Sequence, residues 1–199
     1  MKTGNLAGSL LICGLLAAGI AAQTSPTPGT DIASASAGAK PSRLSAADQR
    51  FVNKTAEEGM AEIELGKLAA AKASSDDVKK FGRRMVDDHT KANGQLKQIA
   101  SSKGVTVPDD LNAKDKAIKA QLEKLSGTKF DRAYMNDMVM DHIRDVAEFN
   151  REITTAKDPD VKNFASQTLP TLQDHLKNAR SVASQTGPQS TNSTTDGGK

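Results

Sequence analysis

The chain has 199 residues, of which 37% are hydrophobic, 26% charged and 3% aromatic, and its formal net charge is +3. This length is typical of one domain with flexible ends. A positive charge this small does not provide a phosphate-binding surface, and few aromatic side chains are present to stack on bases. Nucleic-acid binding is therefore not expected.

Residues 1–22 have the features of a secretory signal peptide. A lysine follows the initial methionine, residues 6–20 are apolar and rich in small side chains, and Ala21-Ala22 provide a small-residue cleavage site. An uncleaved membrane anchor is the alternative interpretation. Cleavage would remove Cys13, the single cysteine, and with it any disulfide or thiolate metal site. We therefore expect a periplasmic or secreted protein.

Two further segments are expected to be disordered. Residues 23–44 and 186–199 are rich in Ser, Thr, Pro, Gly and Ala. Such segments bury too little apolar surface to offset the entropy lost on ordering. The sequence therefore predicts a linker, a folded domain over residues 45–185 and a C-terminal tail.

The folded region is predicted to be all-α, with four long helices and one short helix. Each long helix has one apolar stripe at helical spacing, which is best buried in a four-helix bundle. Tight turns join the first two and the last two long helices, while the longer connection between these pairs crosses the bundle, as in ferritin-like proteins. The predicted ranges are 46–73, 74–104, 111–125, 129–156 and 159–184, the third being the short helix in the crossover.

The most informative polar residues are three histidines. His89, His142 and His175 each lie near the middle of a different long helix and on its apolar stripe, while Glu58 and Glu62 lie at the same level of the first helix. A bundle would bring these side chains together, and such nitrogen and oxygen ligands suit zinc, iron, copper or manganese. The alternative is a metal-free polar network in which the histidines and glutamates hydrogen-bond to one another.

Each histidine also follows an aspartate, namely Asp88, Asp141 or Asp174. A residue one position earlier is rotated by about 100° around the helix, so these aspartates are expected at the edge of the stripe. There they either accept a hydrogen bond from a neighbouring helix's imidazole or are ordinary boundary residues. The acidic strip on the third long helix, to which Asp145 belongs, is interpreted as a solvated face.

Other kinds of site find little support in the sequence. The chain has no Gly-rich phosphate loop, and no serine lies in a nucleophile-elbow motif. The sequence therefore identifies neither catalytic residues nor a small-molecule substrate.

The region from Asp48 to about Ala183 resembles a bacterial family of ferritin-like domains of unknown function, numbered 4142. The resemblance implies an exported four-helix domain. The segments that carry it are Phe51-Val52 with Glu57–Glu62, Phe81–His89, Tyr134–Phe149 around Asp141-His142, and Asp174-His175.

The sequence departs from the pattern of ferritin-like di-iron proteins, which carry a Glu-x-x-His motif on two helices. The residues three positions before the histidines are Val86, Val139 and Leu172. The carboxylates of a di-iron centre are therefore missing from their usual places, and a mononuclear site, or no metal site, fits better. Two functional hypotheses remain: a metal-binding bundle for metal handling or envelope stress, and a non-catalytic interaction module that binds an envelope protein through its surface.

Overall fold

The computed structural model describes residues 43–186, which form five α-helices. The predicted all-α class and four-helix bundle with a short crossover helix are confirmed, and each helix end lies within two residues of its predicted position. The predicted signal peptide and most of the predicted linker and tail lie outside the described residues. The helices are α1 (Ala46–Lys72), α2 (Asp76–Ser102), α3 (Ala113–Glu123), α4 (Gly127–Thr155) and α5 (Pro159–Thr186).

Contacts at the two ends of the bundle establish its connectivity. Asp131, near the start of α4, binds the turn between α1 and α2 through the backbone N–H groups of Ser74 and Ser75 at 3.0 and 2.9 Å. At the other end, Lys103 after α2 forms a 2.9 Å ion pair with Asp158 in the turn before α5. Helices α2 and α4 therefore run in the same direction, and residues 103–126 return the chain along the bundle.

The turn between α4 and α5 is held by a second buried aspartate. Asp48 in the first turn of α1 is 1% exposed and accepts hydrogen bonds from the backbone N–H groups of Lys157 and Asp158 at 3.1 and 3.0 Å. These bonds satisfy two backbone N–H groups just before α5, where no intrahelical acceptor is available. Asp48 thereby ties the first helix to the last hairpin.

Replacing Asp48 with alanine is expected to destabilise the fold by about 1–3 kcal/mol, because two backbone donors, one of them buried, lose their acceptor. Asp76, in the first turn of α2 and almost fully exposed, provides the matched control. Its replacement by alanine should cost less than about 1 kcal/mol. Urea denaturation of both variants measures the difference, and equal losses would contradict the role of Asp48.

The apolar core is divided into two clusters with a polar layer between them. The first contains Leu65, Met85, Met138 and Ala179, and the second contains Ala56, Leu96, Phe149 and Leu172. On each long helix the residue at the polar layer lies between a member of one cluster and a member of the other. The four residues at this level are Glu62, His89, His142 and His175, all at most 6% exposed.

The buried stripe of α4 differs from the predicted one. Its buried positions include Met138, Asp145 and Glu152, whereas Val139 and Val146, which the apolar spacing around His142 predicts to be buried, are only partly buried. The spacing from Met135 to Glu152 alternates between three and four residues, as expected for a bundle helix that packs between two neighbours. The prediction followed the apolar residues and assigned Asp145 to the solvated side.

The described surface is mostly polar. Met140 and Ile143 on α4 are the large hydrophobic residues that it exposes, at 53% and 38%. Within residues 43–186, no helix is both long enough and apolar enough to cross a membrane.

Candidate metal centre

The structure brings His89, His142 and His175 together in the polar layer. Their ring centroids are 5.2–5.8 Å apart. One ring nitrogen from each lies within 4.8 Å of the nitrogens offered by the other two. The three imidazoles, which come from α2, α4 and α5, are thus close enough to hold a single ion.

The two glutamates predicted for the site have different positions. The Glu62 carboxylate lies 3.0 Å from His89 Nδ1 and 3.5 Å from His142 Nε2. Glu58 is instead partly exposed and forms a 2.8 Å ion pair with Lys54. The structure therefore places Glu62 among the histidines and Glu58 near the surface.

Each imidazole also has an oxygen acceptor beside its other nitrogen. His142 Nδ1 donates to the Met138 carbonyl at 2.9 Å and His175 Nε2 to Asp88 at 2.8 Å, while the Glu62 carboxylate lies 3.0 Å from His89 Nδ1. Metal-binding histidines almost always use their second nitrogen in this way, which fixes the tautomer and the orientation of the ring. The geometry therefore has the form expected of a metal site.

Of the three aspartates that precede the histidines, one contacts a ring. Asp88 reaches across from α2 to His175 on α5. Asp141 pairs with Arg144 on its own helix, and Asp174 lies at the surface near Arg84. The two alternatives left open by the sequence therefore both occur, with Asp88 as a partner and the others as boundary residues.

The hydrogen-bond network around His142 and His175 lacks one proton. Three contacts run in series: Met138 O to His142 Nδ1, His142 Nε2 to His175 Nδ1 at 3.2 Å, and His175 Nε2 to Asp88. Three hydrogen bonds need three protons, because a carbonyl and a carboxylate can only accept. Two neutral imidazoles carry two protons, so one contact sets two lone pairs against each other. A third proton or a metal ion removes this repulsion.

The third proton is disfavoured by the surroundings of the two rings. Burial lowers the pKa of His175 to about 4, although its hydrogen bond to Asp88 acts in the opposite direction. Burial likewise lowers the pKa of His142 below its usual value. Both rings are therefore neutral at pH 7, and the lone pairs between them are available to a metal.

The acids of the layer have opposite electrostatic environments. Burial by itself would raise the pKa of Glu62, but the nearby His89 and His142 bring it below the ordinary value. Burial, followed by the charge of Glu62, raises the pKa of Asp145 well above its ordinary value. In the metal-free protein Glu62 is therefore ionised, while Asp145 is held in its neutral form.

Asp145 is a candidate ligand that the sequence interpretation missed. It is 6% exposed, and one of its oxygens lies within 4.8 Å of the ligand atoms of Glu62 and His142. Its position three residues after His142 puts both on the same helical face. That spacing was visible in the sequence, but an acid in an acidic strip was interpreted as solvated.

A cavity of limited size adjoins the site. It is bounded by residues of α1, α2, α4 and α5, with room for about one water molecule in some 20 Å³. Thr55 Oγ1, Glu62 Oε1, His89 Nε2 and Asp145 Oδ2 are buried, belong to its walls and have no hydrogen-bond partner among residues 43–186. Four such atoms in one place indicate a site that takes an ion or water.

The fold and site define a four-helix bundle with a histidine-rich polar layer at mid-height. The model of the family described as "Domain of unknown function (DUF4142)" matches residues 33–182. The chain belongs to this family, as the resemblance implied. No curated protein matches the sequence significantly.

Solved structures show the same fold. A DUF305 fragment from Deinococcus radiodurans is 14% identical, covers 72% of this chain and 99% of its own, and has a TM-score of 0.64. CopM in its Cu(II)-bound form is 17% identical, with coverages of 69% and 96% and a TM-score of 0.60. CopM in its Ag-bound form is also 17% identical, covers 69% of this chain and 96% of its own, and has a TM-score of 0.58. At these identities the similarity establishes the helical bundle alone.

Proposed function

We propose that this protein binds a transition-metal ion in the polar layer, with His89, His142 and His175 as its nitrogen ligands. Zinc, iron, copper and manganese are the candidate ions. The proposed role is metal handling in the cell envelope, by buffering or by protection against metal stress.

The observation that carries the proposal is the pair of facing lone pairs on His142 Nε2 and His175 Nδ1. A fully hydrogen-bonded network would need one more proton here, whereas burial lowers the pKa of both rings and disfavours that proton. A cation supplies the missing positive charge without protonating a buried imidazole. The proposal is supported by CopM, which has the same fold and has been solved in Cu(II)-bound and Ag-bound forms.

Metal should raise the unfolding temperature of chelator-treated protein. Binding to the folded state alone stabilises it by about 2.7 kcal/mol when free ion is at 100 times the Kd. The rise should shrink in acid, because each imidazole must offer a lone pair. His89, whose pKa is raised by Glu62 against the effect of burial, should be the first ring to take up a competing proton. Melting curves in zinc, copper, iron and manganese at pH 7.5 and 5.5 measure both effects.

An unfolding temperature that none of the four ions raises would contradict the proposal. They would favour the alternative of a helical interaction module with a metal-free polar core. A rise of equal size at both pH values would also count against imidazole ligands.

We also propose that the protein is exported, which places the site in the periplasm or outside the cell. The apolar segment over residues 6–20 and the small residues Ala21-Ala22 support this. The intact mass of protein recovered from the periplasm should correspond to a chain that begins near Gln23. A mass that still includes residues 1–22 would contradict cleavage and support a membrane anchor.

A further inference from the structure

We propose that the polar layer offers two overlapping, mutually exclusive positions for a cation, which share His142 and select ions of different hardness. The first lies between His89, His142 and His175, and takes a soft monovalent ion of the copper(I) or silver(I) class. The second lies between Glu62, His142 and Asp145, and takes a hard divalent ion of the manganese(II) class. This inference rests on the proposed function and deepens it, because it assigns manganese to a position that keeps only His142 of the three histidines.

Distances define the two positions. The ligand atoms of His89, His142 and His175 lie within 4.8 Å of one another, and so do those of Glu62, His142 and Asp145. These are two groups of three rather than one group of five. Small side-chain shifts would bring either group to the bond lengths of about 2.0–2.3 Å that such ions require. The geometry therefore provides two centres displaced from each other along the bundle layer.

His142 can serve only one ion at a time. Its Nδ1 is used in the 2.9 Å hydrogen bond to the Met138 carbonyl, so its Nε2 carries the one available lone pair. That Nε2 faces His175 Nδ1 at 3.2 Å and Glu62 Oε1 at 3.5 Å, which belong to different positions. Because a single lone pair coordinates one cation, occupation of either position excludes the other.

The ligand types explain the selectivity. The first position has three uncharged imidazole nitrogens, whose donor character suits copper and similar ions. The second has two carboxylates and one imidazole, and carboxylate and water ligands suit manganese. Two negative charges balance a divalent ion, whereas three neutral ligands leave less uncompensated charge on a monovalent ion than on a divalent one.

The cavity beside the polar layer has room for a water molecule, which is a ligand that suits a hard ion. Glu62 and Asp145 of the second position line it, while of the three histidines only His89 does. Its space for about one water lies beside the unpartnered oxygens Glu62 Oε1 and Asp145 Oδ2. An ion at the second position can therefore keep a water ligand beside its two carboxylates, whereas the first position adjoins the cavity only on its His89 side.

Calorimetric titrations of Ag⁺ and Mn²⁺ into the wild-type chain, in chloride-free buffer, provide the test. One equivalent of each ion should bind alone, and Ag⁺ should displace Mn²⁺ that was bound first. The loss of the bound Mn²⁺ can be followed by the electron paramagnetic resonance signal of the released ion. This competition needs no variant and is therefore independent of any effect on folding.

Two nearly isosteric variants provide the selectivity test. Asp145→Asn should weaken Mn²⁺ binding by at least about 10-fold and leave Ag⁺ binding nearly unchanged. His175→Gln should weaken Ag⁺ binding and leave Mn²⁺ binding nearly unchanged. His142→Gln should weaken the binding of both ions. Far-ultraviolet circular dichroism checks that each variant keeps the helical fold.

Each other outcome overturns the inference. Simultaneous binding of Ag⁺ and Mn²⁺ would mean that His142 is not shared, and equal losses of both ions in Asp145→Asn would mean one common position. If Zn²⁺ or Cu²⁺ binds while either test ion does not, this inference fails and the proposed function stands. If no ion binds at all, both fail.

Discussion

Replacing His142 with alanine should lower the affinity for the bound metal by more than about 100-fold. Loss of a residue that merely orients a metal ligand typically costs about 10–100-fold, and His142 contributes its lone pair to the metal directly. Its ring is also the only one of the three with no exposed surface, so no outside ligand can easily replace it. Direct titration of the wild type and the variant with Cu²⁺ or Zn²⁺ measures the loss.

Tyr134→Phe is the matched control for that variant. Tyr134 is equally buried, lies two turns before His142 on α4, and has a hydroxyl without a hydrogen-bond partner in the described region. Removing this hydroxyl leaves every candidate ligand in place, so metal affinity should be retained. If Tyr134→Phe loses as much metal as His142→Ala, general loosening of the core would explain both results.

Replacing Gly82 with valine should destabilise the protein by at least about 3 kcal/mol, the upper part of the range for an overpacked core. A Cβ atom at Gly82 would lie 2.7 Å from the backbone oxygen of Gly66 and 2.9 Å from the Ala69 Cβ. Both atoms belong to the facing helix, so α1 and α2 would have to separate. The free energy of unfolding in urea measures the effect.

Gly94→Val is the control for this substitution. Gly94 lies on the same helix, is exposed, and has nothing within 4 Å of an added Cβ. Valine is slightly better than glycine in a helix, so the change in stability should stay within about 0.5 kcal/mol. Similar losses at both positions would show that helix propensity, rather than the close approach of α1 and α2, determines the result.

The sequence was sufficient to predict the bundle because each long helix has a clear apolar stripe and a clear end signal. The same arithmetic placed the three histidines at one level, since residues near the midpoints of packed helices of similar length lie at the same height in a bundle. Glu62 could not be separated from Glu58 in this way. The two residues are one turn apart on the same stripe, and only the Lys54 ion pair and the packing of α1 distinguish them.

Other parts of the site depend on contacts between helices, which cannot be read from the spacing of residues along one helix. Asp88 binds His175 because α5 packs beside that edge of α2, whereas Asp141 has a nearer partner on its own helix. Asp145 was missed because the interpretation of the sequence gave more weight to its charge than to its helical spacing from His142. Asp48 and Asp131 close the ends of the bundle through residues more than 50 positions away.

The metal content of the natively purified chain tests the central claim most directly. The protein should be isolated without chelator or affinity metal, exchanged into metal-free buffer, and analysed by inductively coupled plasma mass spectrometry beside His142→Ala prepared in parallel. The account predicts close to one transition-metal ion per wild-type chain and almost none in the variant. A wild type without bound metal that also fails to take up zinc, copper, iron or manganese would contradict it.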